Sequence, residues 1–155
     1  MVRTERAILN HLIEANLDAE RGLRLAEEQA TSPAVRRLFG RLADQHREFA
    51  TDLEPHAQRL GGDGAAEGTT IGSIHRFWTR LRTRFAANTD DAVIEEAARG
   101  EGFVIAAYNE AVEDVLSPFT RELVEAQTLS VRTARRQVDS IANVRYAEPN
   151  AAKAA

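Results

Sequence analysis

The stretch that decides the fold is residues 28–39, Glu28-Gln29-Ala30-Thr31-Ser32-Pro33-Ala34-Val35-Arg36-Arg37-Leu38-Phe39. It sets a helix stop beside a helix start. Thr31 or Ser32 is an N-cap residue, and Pro33 stands at the first helical position, where a missing N–H costs nothing. Upstream, Leu9, Leu12, Ala15/Asn16, Ala19, Leu23, Ala26 and Ala30 recur at steps of three and four, the period of one helical face. Downstream, Val35, Leu38/Phe39, Leu42, His46, Phe49, Leu53 and Leu60 do the same. The spacing predicts one helix over about 4–30 and a second from Pro33 to Leu60. Pro55 is expected to kink or fray the last turn, and Gly61-Gly62 to end it. A link of about two residues between long helices forces an antiparallel hairpin.

The same signal returns at Ser117-Pro118. Before it, a third helix starts near Thr89-Asp90-Asp91, with acids at the positive end of its dipole. Its stripe is Ile94, Ala97, Glu101, Val104/Ile105, Tyr108, Ala111/Val112 and Val115. After it, Leu123, Ala126/Gln127, Ser130/Val131, Ala134, Val138 and Ile141 predict a fourth helix to about Ala142. Between the hairpins lies a long crossover, residues 61–89, where an up-down-up-down bundle needs only a short loop. The sequence therefore predicts an all-α protein, a ferritin-like four-helix bundle of two αα-hairpins joined by a long crossover. One domain spans 1–143. The Ala-rich tail 144–155, with Pro149, is expected to be frayed or disordered.

Composition narrows the chemistry. The chain has 155 residues, 43% of them hydrophobic and 28% charged, and a net charge of −4. That size fits one domain, and the negative total argues against a generally basic nucleic-acid binder. No apolar run approaches the length of a membrane span, and the N-terminus lacks an apolar signal region, so a cytoplasmic location is expected. Cysteine is absent, which excludes disulfides, thiol catalysis and Cys-ligated metals. Lys153 is the only lysine among 20 basic residues, which closes lysine Schiff-base and P-loop chemistry. The arginines are not evenly spread. Ile71, Ile74, Phe77/Trp78, Leu81 and Phe85 predict a short amphipathic helix in the crossover, with no acid from 70 to 88. Arg76, Trp78, Arg80 and Arg84 on it are candidates for contact with an anionic surface. The plainer alternative is that its apolar face packs across the bundle or against a partner subunit.

A di-metal ferritin-like centre needs a Glu from each of two helices and a Glu-x-x-His from each of the other two, because carboxylate and imidazole ligands suit iron and manganese. Glu20 on helix 1, His46 on helix 2 and Glu101 on helix 3 fall on or beside the inward stripes. No Glu-x-x-His occurs anywhere: His46 is preceded by Ala43, and the comparable pair on helix 4 is Gln127-x-x-Ser130. Glu20, His46 and Glu101 could hold one Fe or Mn ion with waters, but not a redox pair. The competing reading is a satisfied polar network, with Glu101 bonded to Tyr108 or Gln127 and His46 a core histidine. His11, Glu14 and Asp18 read as a solvated face. No Ser/His/Asp arrangement or phosphate loop emerges.

Several motifs are similar to an uncharacterised bacterial family of ferritin-like four-helix-bundle proteins, known by a domain of unknown function. They are Asp18-x-Glu20-x-Gly22-Leu23, Phe49-Ala50-x-x-Leu53 with Leu60-Gly61-Gly62, His75-Arg76-x-Trp78, and Glu95-Glu96-Ala97-x-Arg99-Gly100-Glu101 followed by Tyr108. The likeness covers roughly residues 7–141. It implies the ferritin-like fold and a homodimer, with no established activity and a suggestion of stress physiology. The chain departs from that pattern at Ala98 and Gly102, where acids are usual, and at Arg135, where a histidine is common. Each departure removes a potential ligand. The expected function is therefore a non-catalytic bundle with at most a residual metal site. The alternatives are an interaction module using the Arg-rich crossover helix, and a metal-dependent oxidase with an incomplete di-metal site.

Overall fold

The computed structural model describes residues 3–61 and 89–154, the side chains to Ala147. Helix α1 runs Glu5–Gln29, α2 Pro33–Arg59, α3 Asp90–Glu113 and α4 Pro118–Ala154. No strand occurs among the described residues. Thr4 caps α1 by accepting from the Ala7 N–H at 3.2 Å, and Thr89 caps α3 in the same way from Ala92 at 3.3 Å. Helix α2 starts at Pro33 as the sequence predicts, yet Ser32 makes no side-chain cap bond. Asp90, far away in sequence, instead fixes the two residues that lead into the helix. Its carboxylate accepts from the Thr31 N–H at 2.7 Å, the Ser32 N–H at 2.8 Å and the Thr31 hydroxyl at 3.1 Å.

That contact also settles the topology. Asp90 joins the start of α3 to the α1–α2 turn. At the opposite end Arg6 donates to the Gly61 carbonyl at 2.7 Å, and the Ser117 hydroxyl to Glu5 at 2.7 Å. Gly61 and Thr89 thus lie at opposite ends of the bundle, and α2 and α3 point the same way, as a ferritin-like crossover requires. Helices α1 and α2 pack as one hairpin, α3 and α4 as the other, with α1 against α3 and, more loosely, α2 against α4. The crossover residues, including Arg76, Trp78, Arg80 and Arg84, lie outside the described residues.

Two apolar layers fill the interior. One gathers Leu23, Val35, Phe39, Leu42, Ile94 and Val138; the other gathers Leu9, Leu12, Leu53, Val104, Val124 and Val131. Each fully buried Leu, Val or Phe in them contributes about 1.5–3 kcal/mol relative to exposure. His46 and Glu101 fall between the layers in register.

Three expectations need adjustment. Helix α2 continues through Pro55 to Arg59, and its end tightens through i to i−3 bonds from Leu60 and Gly61, the latter at φ 77°. Leu60 and Val115 sit beyond the helix ends and are exposed, the latter by 76%. The tail assigned to 144–155 is helical as far as Ala154. Arg145 anchors it, donating to Asp91 at 2.9 Å and lying 3.6 Å from Asp90.

Candidate functional site

The polar side chains between the apolar layers form one continuous chain of hydrogen bonds, and its direction follows from the donor inventory. Gln127 on α4 starts it. The Phe49 carbonyl can only accept, so the Gln127 amide nitrogen donates to it, at 3.3 Å. The Gln127 carbonyl oxygen then faces Tyr108 on α3 and accepts from its hydroxyl at 2.8 Å. With its proton so used, the Tyr108 oxygen accepts from the Asn16 amide on α1 at 2.7 Å, and that amide also donates to the Leu12 carbonyl at 2.8 Å. The Asn16 carbonyl is left to accept from His46 Nδ1 on α2 at 2.8 Å. His46 Nδ1 therefore carries a proton. At the far end His46 Nε2 meets Glu101 Oε1 at 2.9 Å, and one proton lies between them.

Every member is buried. Asn16, His46 and Tyr108 are 0% exposed and Glu101 2%. Phe49 closes one side of the imidazole, edge to face at 6.0 Å. Burial pushes the Tyr108 phenol far above its ordinary value, with the Asn16 amide opposing only part of that effect. One atom of the chain is orphaned: Glu101 Oε2 is buried without a hydrogen-bond partner.

The structure brings His46 and Glu101 together and places Glu20 elsewhere. The Glu20 carboxylate is 3.2 Å from Arg47 on the α1–α2 surface, with its side chain 18% exposed. The sequence already pointed to His46, Glu101, Tyr108 and Gln127 as possible partners. What it missed is Asn16, present on the stripe but not recognised as the link between His46 and Tyr108. A buried Asn at a core position flanked by Leu12 and Ala19 was the available signal.

The donor set does not suit a di-metal centre. Both His46 nitrogens are engaged, Tyr108, Asn16 and Gln127 are committed to one another, and Glu20 is paired with Arg47. Among the described residues no three His, Asp or Glu side chains are grouped where they could hold a metal ion. The three positions at which the chain departs from the resembled pattern prove to be neighbours. Arg135 donates to the Ala98 carbonyl at 2.7 Å, and a Cβ on Gly102 would stand 3.2 Å from the same guanidinium nitrogen. The Arg135 guanidinium thus links the three positions.

A four-helix bundle with parallel α2 and α3 and a polar mid-section is a ferritin-like protein in its fold. Over residues 5–114 it matches the family described as Domain of unknown function (DUF2383), and the chain belongs to that family. A mutant of Dps1 from Mycobacterium smegmatis shares the fold with a TM-score of 0.69 at 15% identity, over 91% of this chain and 99% of that one. No curated protein sequence matches. No helix among the described residues is long and apolar enough to cross a membrane.

Proposed function

We propose that this protein is a non-catalytic ferritin-like bundle, in which the internal polar chain sets the register of the four helices and the outer surface carries the biological role. The observation behind this reading is that both imidazole nitrogens of His46 are occupied, by Asn16 and by Glu101. A metal ligand needs a free lone pair, and here the Nδ1 lone pair has been replaced by a proton and the Nε2 atom faces a carboxyl oxygen. The chain crosses all four helices, so a slip of any one of them leaves buried donors or acceptors unpaired, at about 1–3 kcal/mol each. An internal network of this kind, satisfied at every atom but Glu101 Oε2, favours one packing over its neighbours.

The test is the metal content of protein purified without added metal, followed by Fe(II) and Mn(II) titration with oxygen consumption recorded. Well under one equivalent bound, no oxygen uptake, and the same result for Glu101→Gln are expected. Near-stoichiometric binding abolished by Glu101→Gln, or iron-dependent oxygen uptake, would overturn the reading in favour of a residual metal centre at Glu101 and His46.

A further inference from the structure

The outward face of α4 carries a pattern that the bundle itself does not use. Glu122, Ala126, Leu129, Thr133 and Arg136 follow one another at alternating steps of four and three, the spacing of a helix-to-helix seam. All are exposed, Leu129 by 65%. Glu122 has no hydrogen bond or ion pair among the described residues, and neither Arg132 nor Arg136 has a carboxylate partner there. Arg132 donates to Asn109 at 2.6 Å and Arg136 to Thr133 at 2.8 Å. The exposed charges nearest the seam are also sorted along the helix: Glu122 and Glu125, the latter 3.5 Å from Arg121, lie before Leu129, and Arg132 and Arg136 after it.

We infer that this face is a homodimer interface, in which α4 pairs antiparallel with α4 of a second copy about a two-fold axis at Leu129. The sequence is complementary to itself only in that arrangement. Glu122 and Arg136 stand seven residues on either side of Leu129, about 10 Å each way at 1.5 Å per residue. Antiparallel pairing about Leu129 therefore sets Glu122 opposite the partner's Arg136, Glu125 beside the partner's Arg132, and Leu129 on its own copy. A parallel pairing in register would set Glu122 against Glu122 and Arg136 against Arg136, like charges at both ends of the seam. Ala126 and Thr133 are small enough to let two helices approach at the usual 8–10 Å. An isologous contact of this kind closes on itself at two subunits.

The bundle beside this face is also unfinished. A cleft of about 200 Å³ opens between α2 and α4, with Leu129 and Thr133 on its rim. Gln45, which lines it from α2, holds its side-chain oxygen buried and without a partner. A helix laid along α4 covers that opening. The inference rests on the surface alone and does not depend on the reading of the core.

The test uses the full chain in sedimentation or light scattering across a concentration series, with helicity by circular dichroism as the check on folding. Wild type is expected to dimerise, more weakly at high salt, because exposed ion pairs are screened. Glu122→Arg alone or Arg136→Glu alone replaces two attractive pairs per dimer with two repulsive ones and should raise Kd about tenfold or more. The double exchange, Glu122→Arg with Arg136→Glu, restores complementarity and should return Kd close to wild type. Because the chain has no cysteine, Leu129→Cys gives a second readout. A residue on the axis meets its own copy and should form a disulfide-linked dimer on oxidation, whereas Glu48→Cys on α2 should not. A monomer at all concentrations overturns the inference. So does a dimer indifferent to both single reversals, or one that Leu129→Cys fails to cross-link.

Discussion

Replacing Glu101 tests the direction of the internal hydrogen bonds, and two substitutions give opposite expectations. If His46 Nδ1 donates to Asn16, then Nε2 needs a proton from its other side or must share one with Glu101 Oε1. Glu101→Gln keeps the shape and supplies an N–H to Nε2, so the contact survives. The orphaned Oε2 becomes an amide oxygen, which costs less to leave unpaired than a carboxylate oxygen. The net change should stay below about 1 kcal/mol. Glu101→Ala removes the partner altogether. An unpaired buried imidazole nitrogen costs about 1–3 kcal/mol, and truncating a fully buried side chain adds a cavity term, for a sum of about 3–5 kcal/mol. In a chain of this length about 1 kcal/mol moves Tm by roughly 2–4 °C, so the two variants should separate by at least about 4 °C. Thermal and urea unfolding followed by circular dichroism, at one fixed protein concentration, reads the difference. A Glu101→Gln variant as unstable as Glu101→Ala would refute the argument, because the order of donors along the chain would then be wrong.

Other consequences follow from the same contacts. Asn16→Asp removes both amide donors, to Leu12 and Tyr108, and should cost about 2–4 kcal/mol by unfolding; a change under 1 kcal/mol would place Asn16 outside the network. Tyr108 is held neutral by burial, so in spectrophotometric titration its phenol should not ionise before the protein unfolds. Since the unfolded phenol ionises near about 10 and the folded one above it, stability should fall as pH rises past about 10. For Asp90 the sign is opposite: burial alone would raise its pKa, but hydrogen bonds from Thr31 and Ser32 and the Arg145 charge outweigh that and hold it low. Its contribution should be complete above the unfolded value of about 3.9 and be lost as pH falls through the lower folded value. Asp90→Ala should thus cost about 1–2 kcal/mol at neutral pH, and the gap to wild type should close in acid. Gly102→Ala meets only the end of the Arg135 side chain, which can shift, so the helix-propensity gain of up to about 1 kcal/mol should appear as a higher Tm.

The helices and their pairing were legible because their signals are local. Ser32-Pro33 and Ser117-Pro118 mark starts through backbone geometry, and the three-and-four spacing marks a face whatever packs against it. The limits of local signals show at Ser32, whose side chain makes no cap bond, while its backbone N–H is held by Asp90 from α3. They show again at the tail, where Ala-rich sequence and Pro149 suggested fraying, yet Arg145 reaches Asp90 and Asp91 and the helix continues. Neither partner is near in sequence, so neither could be weighed from composition.

The candidate site divides in the same way. Periodicity put Glu101 and His46 on inward stripes, and both are buried. It put Glu20 at a stripe edge, where a side chain of that length can turn either way, and Arg47 on the neighbouring helix decided the outcome. The resemblance marks Ala98, Gly102 and Arg135 as separate departures, whereas packing of α3 on α4 makes them one place. The amino-acid sequence by itself determined the four long helices, the two hairpins they form, and the parallel course of α2 and α3 that a long crossover requires. Only the tertiary structure decided what each inward polar group bonds to, and hence which way every proton in the chain from Gln127 to Glu101 must point. The physical reason is that a helical period defines an angle about one axis, while a hydrogen bond between helices also needs the heights and rotations of their neighbours.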